Sequence, residues 1–183
     1  VTLINTNYWQ PSNGYSANVT GAESSIKTKK NNFSFLGRFN VSQKYYSGDS
    51  SGFGHQYLLA VSKPSGRFQY QLVRQETGAT YDPNDMGFLL RNNEAINRLR
   101  LSYTVSDPVW KIRNSYTEFF IQYSNLVKPA SYSELMFDIS NYTTFNNLWG
   151  NYLEFALRPL GTDDHYESRV SGLIYKRPAS FDA

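Results

Sequence analysis

Between Phe33 and Tyr45 the residues alternate in character. Phe33, Phe35, Gly37, Phe39, Val41 and Tyr45 fall on one parity, and Ser34, Leu36, Arg38, Asn40, Ser42 and Lys44 on the other. Arg98–Val105 repeats the pattern, with Leu99, Leu101, Tyr103 and Val105 against Arg98, Arg100, Ser102 and Thr104. A helix of 3.6 residues per turn would wrap both sets around its circumference, so only extended chain separates them. The period predicts β-strands at 33–45 and 98–105. It predicts less regular ones near 1–9, 15–22, 54–63, 66–76, 109–124, 132–142, 147–158 and 165–177. The only helical expectation is a single turn somewhere in 86–97.

Turn chemistry separates these segments: Pro11–Gly14, Ser47–Gly52, Lys63–Gly66, Asp107–Pro108 and Lys128–Pro129. Lys63-Pro-Ser-Gly66 has Pro at the second turn position and Gly at the fourth, which suits a tight hairpin. Short links join antiparallel neighbours. The expected fold is therefore all-β, an antiparallel up-and-down meander of about ten strands forming part or all of a β-barrel. Segments 33–45 and 109–124 exceed the usual five or six residues of a strand and reach the roughly nine to eleven of a tilted membrane strand.

Composition narrows the function classes. Lys and Arg number 18 against 15 Asp and Glu, and the surplus of +3 is dispersed. The clustered basic patch that nucleic acid requires is missing, so no nucleic-acid partner is expected. Cysteine is absent, which removes disulfides and thiolate metal sites. No apolar run reaches the 18 or so residues of a membrane helix, although barrel strands need none. The 15 Tyr and 12 Phe suit pleated surfaces with one apolar side. Many aromatics sit near strand ends (Tyr45, Tyr46, Tyr57, Tyr123, Tyr132, Tyr142, Tyr166 and Tyr175), where a barrel carries its interfacial girdles. A start at Val1, already in strand-like sequence, reads as a processed form or a piece of a longer β-array.

The most distinctive stretch is Thr80–Asn93, T-Y-D-P-N-D-M-G-F-L-L-R-N-N. It resembles the D-x-N-D-[LIM]-G-[FY]-L signature in the barrel region of a Bacteroidota family known as domain of unknown function 5916. The flanks 51–78, 97–108 and 156–178 are similar in style. The resemblance implies an envelope protein: a domain like the family 9 carbohydrate-binding modules, followed by an outer-membrane barrel. This chain would be a single β domain, 1–183, cut from that barrel. Residue by residue, Asp82, Pro83, Asn84, Asp85 and Gly87 are turn formers. They predict a loop folded beside a barrel rim, anchored by Phe88, Leu89 and Leu90. The spacing Asp82-x-Asn84-x-x-Gly87 also starts like a calcium loop, but Met86 and Asn93 stand where oxygen ligands and a Glu are needed.

Other chemistry is sparse. His55 and His165 lie in no zinc-binding spacing; Asp163-Asp164-His165 is suggestive of a metal, yet Gly161-Thr162-Asp163-Asp164 reads more simply as a hairpin tip between two strands. No metal and no cofactor is expected. Trp110, Trp149 and Tyr152 are the candidates for stacking on a sugar, with a core or girdle role as the plainer reading. Glu118, Glu134, Glu154 and Glu167 lie on expected strands. Glu154 and Glu167, on adjacent ones, could form the paired carboxylates of a glycoside hydrolase; ion pairs with Arg158 or Arg169 are the plainer reading.

Three functions follow as expectations. The first is a segment of an outer-membrane β-barrel, structural or transport-related and linked to glycan handling. The second is a soluble β-sandwich or barrel that binds carbohydrate; the third is a glycoside hydrolase. The first places the chain in the bacterial outer membrane or cell envelope. Its partners would be membrane lipid, the remaining strands of the parent barrel and glycans. Unpaired end strands would favour edge association or a homodimer.

Overall fold

The computed structural model describes residues 1–12, 14–46, 51–168, 170 and 172–183. The expected turn at Ser47–Gly52 lies largely outside them, as do Asn13 and Arg169. Among the described residues there is no helix. The strands are β1 (Thr2–Gln10), β2 (Tyr15–Lys27), β3 (Ser34–Tyr45), β4 (Ser51–Lys63), β5 (Phe68–Thr77), β6 (Glu94–Val105), β7 (Ile112–Leu126), β8 (Ser131–Phe145), β9 (Gly150–Arg158), β10 (Thr162–Asp164), β11 (Tyr175–Arg177) and β12 (Ser180–Asp182). All belong to one antiparallel sheet, and β1 to β8 lie side by side in chain order.

β9 and β10 both pair with β8 in the same direction, so they are one strand interrupted at 159–161. β11 pairs β10 and β12 pairs β9, a second strand interrupted at 178–179. The twelve strands therefore occupy ten positions, as the alternation predicts. The interruption is built by Pro159, which has no N–H to donate, and by Gly161 at φ +69°. A Cβ on Gly161 would stand 2.2 Å from the Arg177 carbonyl oxygen, so only glycine lets the two interrupted strands pass.

Several boundaries differ from expectation for local reasons. Of the strand expected at 165–177 only Tyr175–Arg177 forms. Asp164 Oδ1 accepts the Tyr166 and Glu167 amides, each at 3.0 Å, and this cap ends β10. Thr162–Asp164, expected as a hairpin tip, is strand instead, and the reversal comes in 165–174. Trp110 (φ +52°) and Leu148 (φ +68°) have left-handed backbone, which delays β7 to Ile112 and β9 to Gly150. The single helical turn lies earlier than 86–97. The Met86 and Gly87 amides both bond the Pro83 carbonyl at 2.9 Å, and from Glu94 the chain is strand. The chain reverses at Lys63–Gly66 as expected but less tightly, since pairing begins at Lys63 opposite Tyr70; Gly66 has φ +87° and Lys63 Nζ donates to the Ser65 and Phe68 carbonyls.

Register assigns every strand residue to a face. One face of β3 to β9 is mainly apolar, with Phe35, Phe39, Val41, Tyr57, Leu59, Val61, Leu72, Leu99, Leu101, Phe119, Ile121, Phe137, Ile139, Phe155 and Leu157, but it also holds His55, Arg74, Glu76, Asn97 and Asn141. The other carries Arg38, Asn40, Gln56, Gln71, Gln75, Arg98, Arg100, Ser102, Glu118, Gln122, Glu134, Ser140, Glu154 and Arg158. Among the described residues nothing covers the apolar face. Phe35, Phe39, Leu59 and Leu72 are 46%, 49%, 56% and 53% exposed. The buried apolar residues are Ala17, Ala60, Tyr81, Ala95, Ile96 and Leu126, too few and too scattered for a closed core. The two packed sheets of a sandwich are therefore not present among the described residues. Nor does any described strand pair β1 with β11 or β12, so the sheet stays open.

Candidate functional site

Connections at the end of the sheet that holds Gln10 and Tyr15 include the two longest, 78–93 and 165–174. The 78–93 connection holds the distinctive motif, and it lies on the polar face. Lys44 Nζ, at the end of β3, meets Asp82 Oδ2 at 2.6 Å and Asp85 Oδ2 at 3.0 Å. Tyr15 donates its hydroxyl to Asp85 Oδ2 at 2.6 Å, and the Asp82 amide donates to Ser42 Oγ at 3.0 Å. Tyr15, Ser42 and Lys44 share the polar parity of β2 and β3. Gly54 completes the seat on β4. A Cβ there would lie 2.3 Å from the Tyr81 Cα, so the loop backbone rests directly on the sheet.

Tyr81 is only 4% exposed, and burial raises its hydroxyl pKa. The hydrogen bond from Lys44 holds the Asp82 carboxyl below the usual range; for Asp85 the Tyr15 hydroxyl does most of this, with Lys44 adding to it. Inside the loop, Asp82 Oδ1 accepts the Asn84 amide at 3.0 Å and Asn84 Oδ1 accepts the Leu89 amide at 2.7 Å. These are the turn roles read from the sequence. The side-chain oxygens that a calcium loop would present are thus turned to the backbone and to Lys44. Among the described residues no cluster of three or more His, Cys, Asp and Glu is placed to hold a metal.

Of the three expected anchors the structure corrects two, and Leu89 is half-buried. Phe88 and Leu90 are 85% and 76% exposed and hold nothing down. Tyr81, Asp82 and Asp85 do the anchoring, because the polar face offers a cation and hydroxyls rather than an apolar pocket. The second long connection braces the first. Tyr166 donates its hydroxyl to the Asn92 carbonyl at 2.5 Å, and the Arg91 guanidinium lies 4.9 Å over its ring. Burial pushes the Tyr166 hydroxyl up to about 12.

At the far end of the sheet the polar face carries a second constellation. Tyr116, Tyr142 and Tyr152 lie directly opposite one another on β7, β8 and β9. The next polar row is Ser102, Glu118, Ser140 and Glu154, and the one after is Arg100, Phe120, Asp138 and Ala156. Tyr116 and Tyr152 each donate to the glutamate two residues on, Glu118 and Glu154, at 2.5 Å. Arg100 Nε lies 3.1 Å from Glu118.

Of the expected sugar-stacking residues, only Tyr152 belongs to this group. Trp110 and Trp149 sit on two neighbouring turns beyond the strand ends, 81% and 72% exposed. Asn146 Nδ2 ties those turns together through the Trp110 carbonyl at 2.8 Å. Tyr142 and Tyr175, expected in a girdle, have the polar parity, and Tyr166 is spent on the loop. Tyr45, Tyr57, Tyr123 and Tyr132 keep the apolar parity.

The pairing of Glu154 with Glu167 is also corrected. Glu154 is on β9, whereas Glu167 follows β10, further along the same interrupted strand. Arg158 pairs with Glu134 and Asp182, each at 3.0 Å, rather than with Glu154. No spacing motif marks the tyrosine row, because register across three hairpins decides it. One signal was present: Tyr-x-Glu occurs at 116–118 and again at 152–154, and two-residue spacing puts both members on one face.

Fold and surface together define a one-layer antiparallel meander with a polar face, an uncovered apolar face and a loop seated on the polar side. The chain matches the family described as domain of unknown function (DUF5916) over residues 1–183, and it belongs to that family. No curated protein and no solved structure matches it.

Proposed function

We propose that this chain forms a stretch of the wall of an outer-membrane-type β-barrel. Its apolar face meets lipid, and its polar face lines a wet interior narrowed by the 78–93 loop. One observation carries the reading: from β3 to β9 one parity presents mainly Phe, Leu, Ile, Val and Tyr on one side of a one-layer sheet, with the polar His55, Arg74, Glu76 and Asn97 paired among themselves toward the end that holds the 78–93 loop. In water that surface would be a large exposed apolar patch. Facing lipid it is the ordinary exterior of a barrel, with polar residues alternating onto the lumen side. The strands are long enough: β7 and β8 have 15 residues each, against the roughly nine to eleven a tilted strand needs. A loop seated on the lumen side suits a transport role, since it occupies the cross-section that a solute would use.

Single cysteines placed along β6 in the full chain, reconstituted in lipid vesicles, test this. A membrane-impermeant maleimide is expected to label positions 100, 102 and 104 and to spare 99, 101 and 103. Brominated acyl chains should quench fluorophores at the spared positions only. Uniform labelling of both sets, or no vesicle association, would overturn the reading.

A further inference from the structure

The tyrosine row is an anomaly on the face that carries it. Tyr116, Tyr142 and Tyr152 are 38%, 51% and 60% exposed, side by side on a face whose next row is Ser102, Glu118, Ser140 and Glu154. Aromatic rings left bare on a wet surface gain nothing from burial and are available to cover an apolar ligand face. Next to them stand groups that accept hydrogen bonds: Glu118 and Glu154 flanking Ser140, and Asp138 one row further. Arg100, at 3.1 Å from Glu118, supplies donors from the other side. Its guanidinium also lies 5.6 Å from the Phe120 ring centroid, an aromatic group two rows from the tyrosines, beyond the carboxylates.

We propose that this patch is a binding subsite for a neutral oligosaccharide, resting on the reading that the polar face is wet. A sugar ring has an apolar C–H face and a rim of hydroxyls that donate and accept. Three tyrosines on adjacent strands extend over about 10 Å, two strand spacings, which accommodates more than one sugar unit. The two tyrosine hydroxyls bonded to Glu118 and Glu154 hold the carboxylates beside the rings, where sugar hydroxyls can donate to them. Three carboxylates against one guanidinium make the patch acidic, so uronates, sulfated glycans and phosphates are repelled. Recognition by a few placed polar groups around an aromatic platform is the usual design of a small-molecule site.

The test uses the full chain in detergent micelles, titrated with maltotetraose, cellotetraose and chitotetraose, with tetragalacturonate as the acidic probe. Saturation-transfer NMR and calorimetry read the binding. At least one neutral tetrasaccharide is expected to bind saturably, and tetragalacturonate not at all. Tyr142→Ala, at the centre of the row, should weaken binding tenfold or more, while Tyr142→Phe keeps most of it. Strand content by circular dichroism shows that the variants remain folded. No saturable binding of any neutral probe, equal binding of the acidic one, or affinity indifferent to Tyr142→Ala would overturn the proposal. The maleimide pattern on β6 separates the two readings: if 100, 102 and 104 label but no sugar binds, the subsite alone falls.

Discussion

The β1–β2 hairpin and the β3–β9 wall belong to one sheet, yet they present different chemistry on the same side. From β3 onward the middle of that side is mostly Phe, Leu, Ile, Val and Tyr, with His55, Arg74, Glu76 and Asn97 grouped toward one end. On β1 and β2 its middle is Asn5, Asn7, Asn18 and Thr20, with Leu3, Trp9 and Ile26 only toward the ends. The four polar side chains satisfy one another. Asn5 Nδ2 donates to Thr20 Oγ1 at 2.7 Å and to Asn18 Oδ1 at 3.2 Å, and Asn7 Nδ2 donates to Asn5 Oδ1 at 2.7 Å. Asn18 Nδ2 bonds Asn7 Oδ1, and Thr20 bonds Asn18 Oδ1 at 2.9 Å. The opposite face of the hairpin carries Ile4, Tyr8, Ala17 and Val19, so the usual polarity is nearly reversed. Alternation alone therefore does not make a wall; the identity of each face can change between neighbouring strands. The 78–93 loop sits across the boundary, held by Tyr15 on β2, Lys44 on β3 and Gly54 on β4.

A charge planted on each region separates them most strongly. Phe137→Arg, mid-strand on the apolar side of β8, should cost about 2–4 kcal/mol in unfolding of the full chain in lipid vesicles. Thr20→Arg should cost about 1 kcal/mol or less, as at a site away from the hydrocarbon. Equal costs would put both regions in the same solvent and break the comparison. Asn18→Ala comes next. It removes the acceptor of the Thr20 hydroxyl and of one Asn5 amide bond, and the donor to Asn7 Oδ1, an expected loss of about 1–3 kcal/mol if water is kept away. A loss near zero would show the hairpin's amide side bathed in water.

Gly54→Val acts on the seam. The new side chain collides with the Tyr81 backbone, so limited proteolysis within 78–93 should rise sharply while strand content stays constant. Unchanged resistance to protease would mean that the loop is held without that seat. Acid should act most weakly. The folded-state pKa values of Asp82 and Asp85 are depressed, so their contribution is complete above the ordinary carboxylate range near 4 and is lost as pH falls through the lowered values. Asp82 is 40% exposed, which screens the pair with Lys44 and keeps the effect below about 1 kcal/mol. Loop proteolysis should then increase only below about pH 4, and Lys44→Met should bring the same release at neutral pH.

The motif at Thr80–Asn93 shows how far local reading reaches. Asp82, Asn84 and Gly87 act as the turn formers that their side-chain chemistry dictates, because those bonds close within a few residues. The anchoring was misread at Phe88 and Leu90, since nothing local says whether the surface beneath a loop is apolar or charged. Tyr152 was legible as an exposed aromatic, but Tyr116 and Tyr142 beside it were not. Their meeting depends on turn lengths and on the β7–β8 irregularities near Ile112 and Ser124.

By itself the sequence determined the extended chain, the antiparallel order and the two faces of β3 and β6. Period-two alternation and turn residues act over a few neighbours, and every strand must obey them. The tertiary structure alone decided which residues share a row, that the loop lies on the polar side, and that β1–β2 reverses its chemistry. Those outcomes are set by register, and a shift of one residue would send every side chain of a strand to the opposite face.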